Sequence, residues 1–206
     1  MIQALDINLI VFTLIVVGMM VFGLVALGYA LFVFFRNRMR EDRSIDSVLL
    51  QVAVPRNNEI KIDVMEQLFS SLYSMKKGGW KQNFDIQPSI SFEIVAKQED
   101  IRFYVWAPKD LKDLIEKQIH GAYSDAEVIE IDEYNIFTED GKVAYKSFQL
   151  SKSNFYPLKT FKDLPTDPMS SVTSALAKMG PGEAAAIQVL VSPAESIWQK
   201  EGGKFI

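Results

Sequence analysis

Residues Leu9 to Phe35 form a 27-residue apolar run interrupted only by Thr13, and Arg36, Arg38, Arg40 and Arg43 follow it closely. Lipid offers the backbone no hydrogen-bond partners. A span across its core, about 30 Å thick, must therefore be helical and needs roughly 20 apolar residues. The run exceeds that length, and tilt would absorb the excess. A cleaved secretory signal is the competing reading. It is opposed by the absence of Lys and Arg from Met1 to Asn8 and by the lack of an Ala-x-Ala pattern before the arginines. The run is also longer than the roughly 15 apolar residues of a signal core.

Basic flanks stay on the cytoplasmic side of a membrane. The expectation is therefore a transmembrane anchor over residues 1–35 and a basic juxtamembrane linker over 36–46. The chain would cross the inner (cell) membrane once, with its N-terminus outside and its C-terminal domain in the cytoplasm. Gly18, Gly23 and Gly28 recur at every fifth residue. That is not the small-xxx-small spacing that brings two membrane helices together, so no helix pair is expected from them.

About 165 residues remain for soluble structure, enough for one ordinary domain or two small ones. From Ser44 onward the chain carries 18 basic and 23 acidic residues. Phosphate backbones are bound by clustered Lys and Arg, so no direct nucleic-acid binding is expected. The arginine cluster is read as a topology signal in contact with anionic lipid headgroups. The absence of cysteine excludes disulfides and thiolate chemistry.

The soluble part alternates strand and helix signals. Ser47–Val54 is an aliphatic run ending at Pro55, as for a strand buried on both faces. Asp63 and Glu66 fit a capping box ahead of a helical stripe of Met65, Leu68, Phe69, Leu72 and Met75. Lys77-Gly78-Gly79 would end that helix, with a loop from Trp80 to Ser89. Ile90, Phe92 and Ile94, then Ile101, Phe103 and Val105, alternate with polar residues, as in a hairpin. A second helix follows Pro108, with Leu111, Leu114, Ile115, Ile119 and Ala122 on one face. Asp125–Asp132 closes the series as a strand.

This order predicts an α+β protein: an N-terminal transmembrane helix, then a ferredoxin-like βαββαβ unit over residues 47–135. Residues 136–206 read as a partial second α+β unit. It would consist of a strand over Val143–Ser151, a helix framed by Asp167, Pro168 and Gly180, and a strand over Glu183–Val191. So small a unit buries too little surface to stand alone, which suggests a fragment of a longer chain.

The chemistry is sparse. His120 is the sole histidine and lacks relay or zinc partners. Gly202-Gly203-Lys204-Phe205 and Met179-Gly180-Pro181-Gly182 both fail the phosphate-loop pattern. Asp132, Glu133, Glu139 and Asp140 read as solvated loop charges. No catalytic residue, cofactor or metal ligand is assigned. Arg102, Tyr104 and Trp106 project from the hairpin face opposite Ile101, Phe103 and Val105. They form a possible interaction face for a second half-domain or a protein partner.

The segments Ile90–Ala96 and Ile101–Pro108 carry a resemblance. It extends to Ile119–Ala122, Asp125-Ala126-Glu127, Leu158–Leu164 and Ile197-Trp198-Gln199. Over residues 47–199 the chain resembles the membrane-anchored N-terminal domain of unknown function that precedes HerA- or TraG-like ATPases of type IV secretion and conjugative DNA transfer. The resemblance implies an accessory or anchoring part with no catalytic residue of its own. The expected function is a non-catalytic, membrane-anchored cytoplasmic module that tethers or assembles such a translocation ATPase. Its partners would be the bilayer and another protein or a second copy. The alternative is a membrane-bound sensor whose ferredoxin-like domain binds a small ligand.

Overall fold

A computed structural model describes residues 7–76, 78, 87–98, 100–194 and 196–204, without the side chains of Asn8 and residues 40–45. The expected helix stop around Gly79 and most of the loop after Trp80 lie outside the described residues. Helix α1 (Ile7–Ile45) belongs to one compact unit, and the chain from Asp46 onward, apart from the 78–86 segment, makes up the other.

Helix α1 contains one span, Leu9–Met39, long and apolar enough to cross a membrane, with a mean hydropathy of 2.8. None of its described residues is buried. The helix continues through the basic juxtamembrane segment to Ile45. Residues 36–45 contain neither Gly nor Pro and include four Arg, a good helix former, so nothing local ends the hydrogen-bond ladder.

The second unit is built on five strands: β1 (Ser47–Ala53), β2 (Ile90–Lys97), β3 (Asp100–Pro108), β4 (Glu127–Ile131) and β5 (Ala184–Val191). They lie in the order β4-β1-β3-β2-β5, with every neighbouring pair antiparallel. Helix α2 (Asp63–Leu72) connects β1 to β2, and α3 (Lys112–Ala122) connects β3 to β4. Helix α4 (Met169–Leu176) precedes β5, and the short α5 (Ile197–Gly202) follows it. The chain is thus α+β, as its pattern of alternating periodicities implies.

Strand β1 lies inside the sheet, between β4 and β3, and cover on both faces explains the aliphatic stretch Val48–Leu50. Leu50 and Val48 point into a core with Leu68 and Leu72 of α2, Ile115 and Ile119 of α3, Ile90, and Val105. Leu49, on the other face, packs with Val95 and Tyr104. Leu50, Leu72 and Ile90 are fully buried. Each such side chain contributes about 2–3 kcal/mol by leaving water. Phe69 of α2 meets Phe92 of β2 edge to face, with ring centroids 5.2 Å apart. The helical stripes read from the sequence therefore face the sheet.

Three local expectations change. Asp63 and Glu66 form no capping box, because Ile62 occupies the N-cap and no side chain caps the helix. Backbone bonds from Val64 N to the Lys61 carbonyl and from Met65 N to the Ile62 carbonyl make the entry instead. The two carboxylates hold Lys162 Nζ at 3.2 and 3.3 Å. Helix α4 ends at Leu176, well before Gly180, whose N–H bonds the Glu183 carboxylate. The left-handed backbone belongs to Gly182, at φ +79°, in the turn into β5.

The strand expected over Val143–Ser151 does not form, and residues 142–150 are irregular. Val143 and Tyr145 are out of phase with Phe148 and Leu150, so no flat strand places all four on one face. Strand β5 does form, but it extends the existing sheet. It pairs with β2 from Ile90↔Val191 to Lys97↔Ala184.

Candidate functional site

The sheet face away from α2 and α3 carries the chain's most distinctive polar arrangement. Alternation on β2 places Ser91, Glu93 and Val95 on that face. The β2–β3 and β2–β5 registers set Glu93 opposite Tyr104 and Gln188. After β4 the chain returns across this face, and Tyr134 and Ile136 pack with Leu49, Val95, Tyr104, Trp106 and Ile131.

Glu93 is only 6% exposed. Each of its carboxylate oxygens accepts one side-chain hydrogen bond. Tyr134 Oη donates to Oε2 at 2.6 Å, and Gln188 Nε2 donates to Oε1 at 3.0 Å. A charge taken out of water needs such donors, and bonds to ionised acceptors are stronger than neutral ones. The Tyr134 ring stacks on Tyr104 with centroids 5.0 Å apart. Burial, then the bond to Glu93 and its negative charge, hold the Tyr134 hydroxyl well above the ordinary tyrosine range. Tyr134 is therefore a committed donor. Next to this cluster, the buried Ser91 hydroxyl has no hydrogen-bond partner among the described residues.

The chemistry available to this arrangement is that of a clasp. It holds residues 134–136 on the sheet and joins β5 to β2. The carboxylate already has two donors.

Of the residues singled out from the sequence, Tyr104 is buried beneath Tyr134 and Trp106 is half-buried beside it. Arg102 is exposed, donating from Nε to Asp100 at 2.6 Å and from Nη1 to Gln51 Oε1 at 3.3 Å. The face expected to receive a partner is thus partly closed by the chain's own residues 134–136. Arg36 and Arg38 are exposed on α1. Positions 36, 40 and 43 follow one side of the helix and position 38 the other, by helical periodicity. The side chains of Arg40 and Arg43 lie outside the described residues. His120 is exposed in the last turn of α3, and Asp132, Glu133, Glu139 and Asp140 are exposed. Among the described residues no group of acidic or histidine side chains could hold a metal ion.

A cleft of about 380 Å³ lies at the end of β1, lined by Val54, Pro55, Asn57–Ile60 and Tyr123–Ala126. Sequence reasoning missed the Glu93 clasp. Strand alternation placed Glu93 on the polar face, but nothing local reveals that Tyr134 crosses that face 41 residues later.

No curated protein and no solved structure matches the chain. One sequence family does, described as a domain of unknown function (DUF8128), and its model matches residues 37–204. That stretch takes in the end of α1, all five strands and the Glu93 clasp, and the chain belongs to this family.

Proposed function

We propose that the protein is a non-catalytic, membrane-anchored cytoplasmic module that tethers or assembles a translocation ATPase of the type IV secretion or conjugation class. The observation that carries the anchor is the 31-residue apolar span of α1, whose described side chains are all unburied. A core helix of a soluble protein would hide such a surface, whereas lipid solvates it. The arginines that follow the apolar span favour a headgroup contact, with the C-terminal unit on the cytoplasmic side of the inner membrane.

Within the soluble unit we read Ser47–Ile131 as ferredoxin-like. Support comes from its βαββαβ order and from β3 lying between β1 and β2. Strand β5 then extends that sheet. The tethering role is supported by the likeness of residues 47–199 to domains that precede HerA- or TraG-like motors. The closed Glu93 clasp is compatible with a structural part. Tethering acts by raising local concentration near a partner on the same membrane.

The test is fractionation of cells expressing the full chain, followed by alkaline carbonate extraction. The expected result is recovery in the extracted membrane pellet. Recovery of the intact chain in the soluble fraction would overturn the anchor. Protease added to right-side-out vesicles should leave the C-terminal unit intact, and its digestion would reverse the orientation.

A further inference from the structure

Residues Gly141 to Lys159 contain Lys142, Lys146, Lys152 and Lys159 but no Asp or Glu, in a chain of net charge −4. The same stretch exposes large apolar side chains. Tyr145 is 87% exposed, Phe148 86%, and Val143 and Leu158 70% each. Every residue from Lys142 to Leu150 is exposed, and among the described residues none of their backbone N–H or C=O groups bonds to another backbone group. Lys146 sits 5.7 Å from the Phe148 ring centroid, and Lys152 sits 5.5 Å from that of Tyr156. Among the described residues, no carboxylate lies within ion-pair distance of these four lysines. Soluble proteins seldom leave so many large apolar groups in water without a partner.

We infer that this arm, residues 141–159, docks on the anionic lipid surface of the membrane that α1 crosses. This rests on reading α1 as a bilayer span. Aromatic rings and lysines together suit the headgroup zone, where rings sit at the boundary and ammonium groups reach water and phosphate. Lysines near an anionic leaflet are attracted to it, and outside the arginine cluster and this arm the chain is predominantly acidic. An irregular backbone cannot enter the hydrocarbon core, because its amides would lose their hydrogen bonds. Docking is therefore shallow. Strand addition to a second copy fits less well, because Val143 and Tyr145 would face opposite to Phe148 and Leu150 on an added strand.

The chain has no cysteine, so a single introduced thiol is labelled uniquely. The full chain would be placed in lipid nanodiscs with an environment-sensitive fluorophore at Ser147→Cys in the arm. A control label at Ser174→Cys replaces an exposed side chain of α4. A second control at Gly23→Cys uses a position where an added side chain meets no neighbour. Discs contain phosphatidylcholine alone or mixed two to one with phosphatidylglycerol, with quenchers near the headgroup or near the chain end.

In mixed discs the shallow quencher should act on position 147 about threefold more than on position 174, and the gain should fall away in neutral discs. The triple variant Lys142→Glu/Lys146→Glu/Lys152→Glu should abolish it. Equal quenching at 147 and 174 overturns the inference. So does an emission change that follows the number of copies per disc and ignores lipid charge, which would mark a second copy as the occupant. A silent position 147 beside a deeply quenched position 23 removes the docking and leaves the anchor standing. A silent position 23 removes the anchor, and the docking with it.

Discussion

The sheet face beneath α2 and α3 is closed by apolar side chains, whereas the opposite face sets a buried carboxylate, bonded by a tyrosine and a glutamine, beside its smaller apolar cluster. The first closure is non-directional and scales with area, so it tolerates adjustment of shape better than loss of volume. The second depends on two aimed donors and fails when either is removed. The helix-covered face holds the fold together. The polar face fixes where residues 134–136 and β5 lie.

The largest expected effect separates the two. Leu50→Ala, at a fully buried position on β1, should lower unfolding stability by about 3 kcal/mol. Denaturant titration of the full chain in detergent micelles, followed by near-ultraviolet circular dichroism, would measure it. A loss below about 1 kcal/mol would mean that the helix-facing core is not closely packed.

Tyr134→Phe should cost about 2 kcal/mol, because it keeps the ring stack on Tyr104 but leaves one oxygen of Glu93 without its donor. It should also change the response to alkali. The Tyr134 hydroxyl is held above the ordinary tyrosine value of 10.0, chiefly by burial and then by Glu93. A group whose pKa is raised on folding contributes in full below its unfolded value and loses that contribution as pH rises. The native chain should therefore lose stability above about pH 10 more steeply than Tyr134→Phe does. Parallel slopes for the two proteins would show that the hydroxyl is not buried against the carboxylate.

The faces also differ in how much of them the sequence discloses. The helix face was legible because its signals are local. Leu68 and Leu72 share a stripe at helical spacing, and Ile115 and Ile119 do the same on α3. Leu49 and Leu50 sit in an aliphatic run that fits a strand covered on both sides, and both are buried. The polar face was illegible because its partners are distant in sequence. Gln188 lies 95 residues from Glu93. The same distance hid the place of β5, whose apolar sequence announces a strand but not which edge it joins. The capping pattern at Asp63 and Glu66 misled for a different reason: backbone bonds to Lys61 and Ile62 make the helix entry before any side chain is needed.

Ser91→Ala sharpens the comparison from within the polar face. The Ser91 hydroxyl is buried without a partner among the described residues, so its removal takes away a desolvated polar group and leaves no described donor stranded. The variant should be unchanged or more stable by up to about 1 kcal/mol, opposite in sign to Tyr134→Phe. A clear loss in the same denaturant titration would mean that the hydroxyl has a partner in solution and belongs to the clasp.

The smallest effect belongs to a charged contact outside both faces. Lys162 Nζ lies 3.2 Å from Asp63 and 3.3 Å from Glu66, joining the connection before α4 to the first turn of α2. All three side chains are more than half exposed. Water and salt screen such pairs, and holding long side chains in place opposes what attraction remains. Lys162→Met should therefore unfold at the same denaturant midpoint as the native chain, within error, at both low and high salt. A midpoint shift that vanished in high salt would show the three charges acting as a network. The connection from 159 to 168 would then be held by electrostatics, where the two sheet faces are held by burial and by aimed hydrogen bonds.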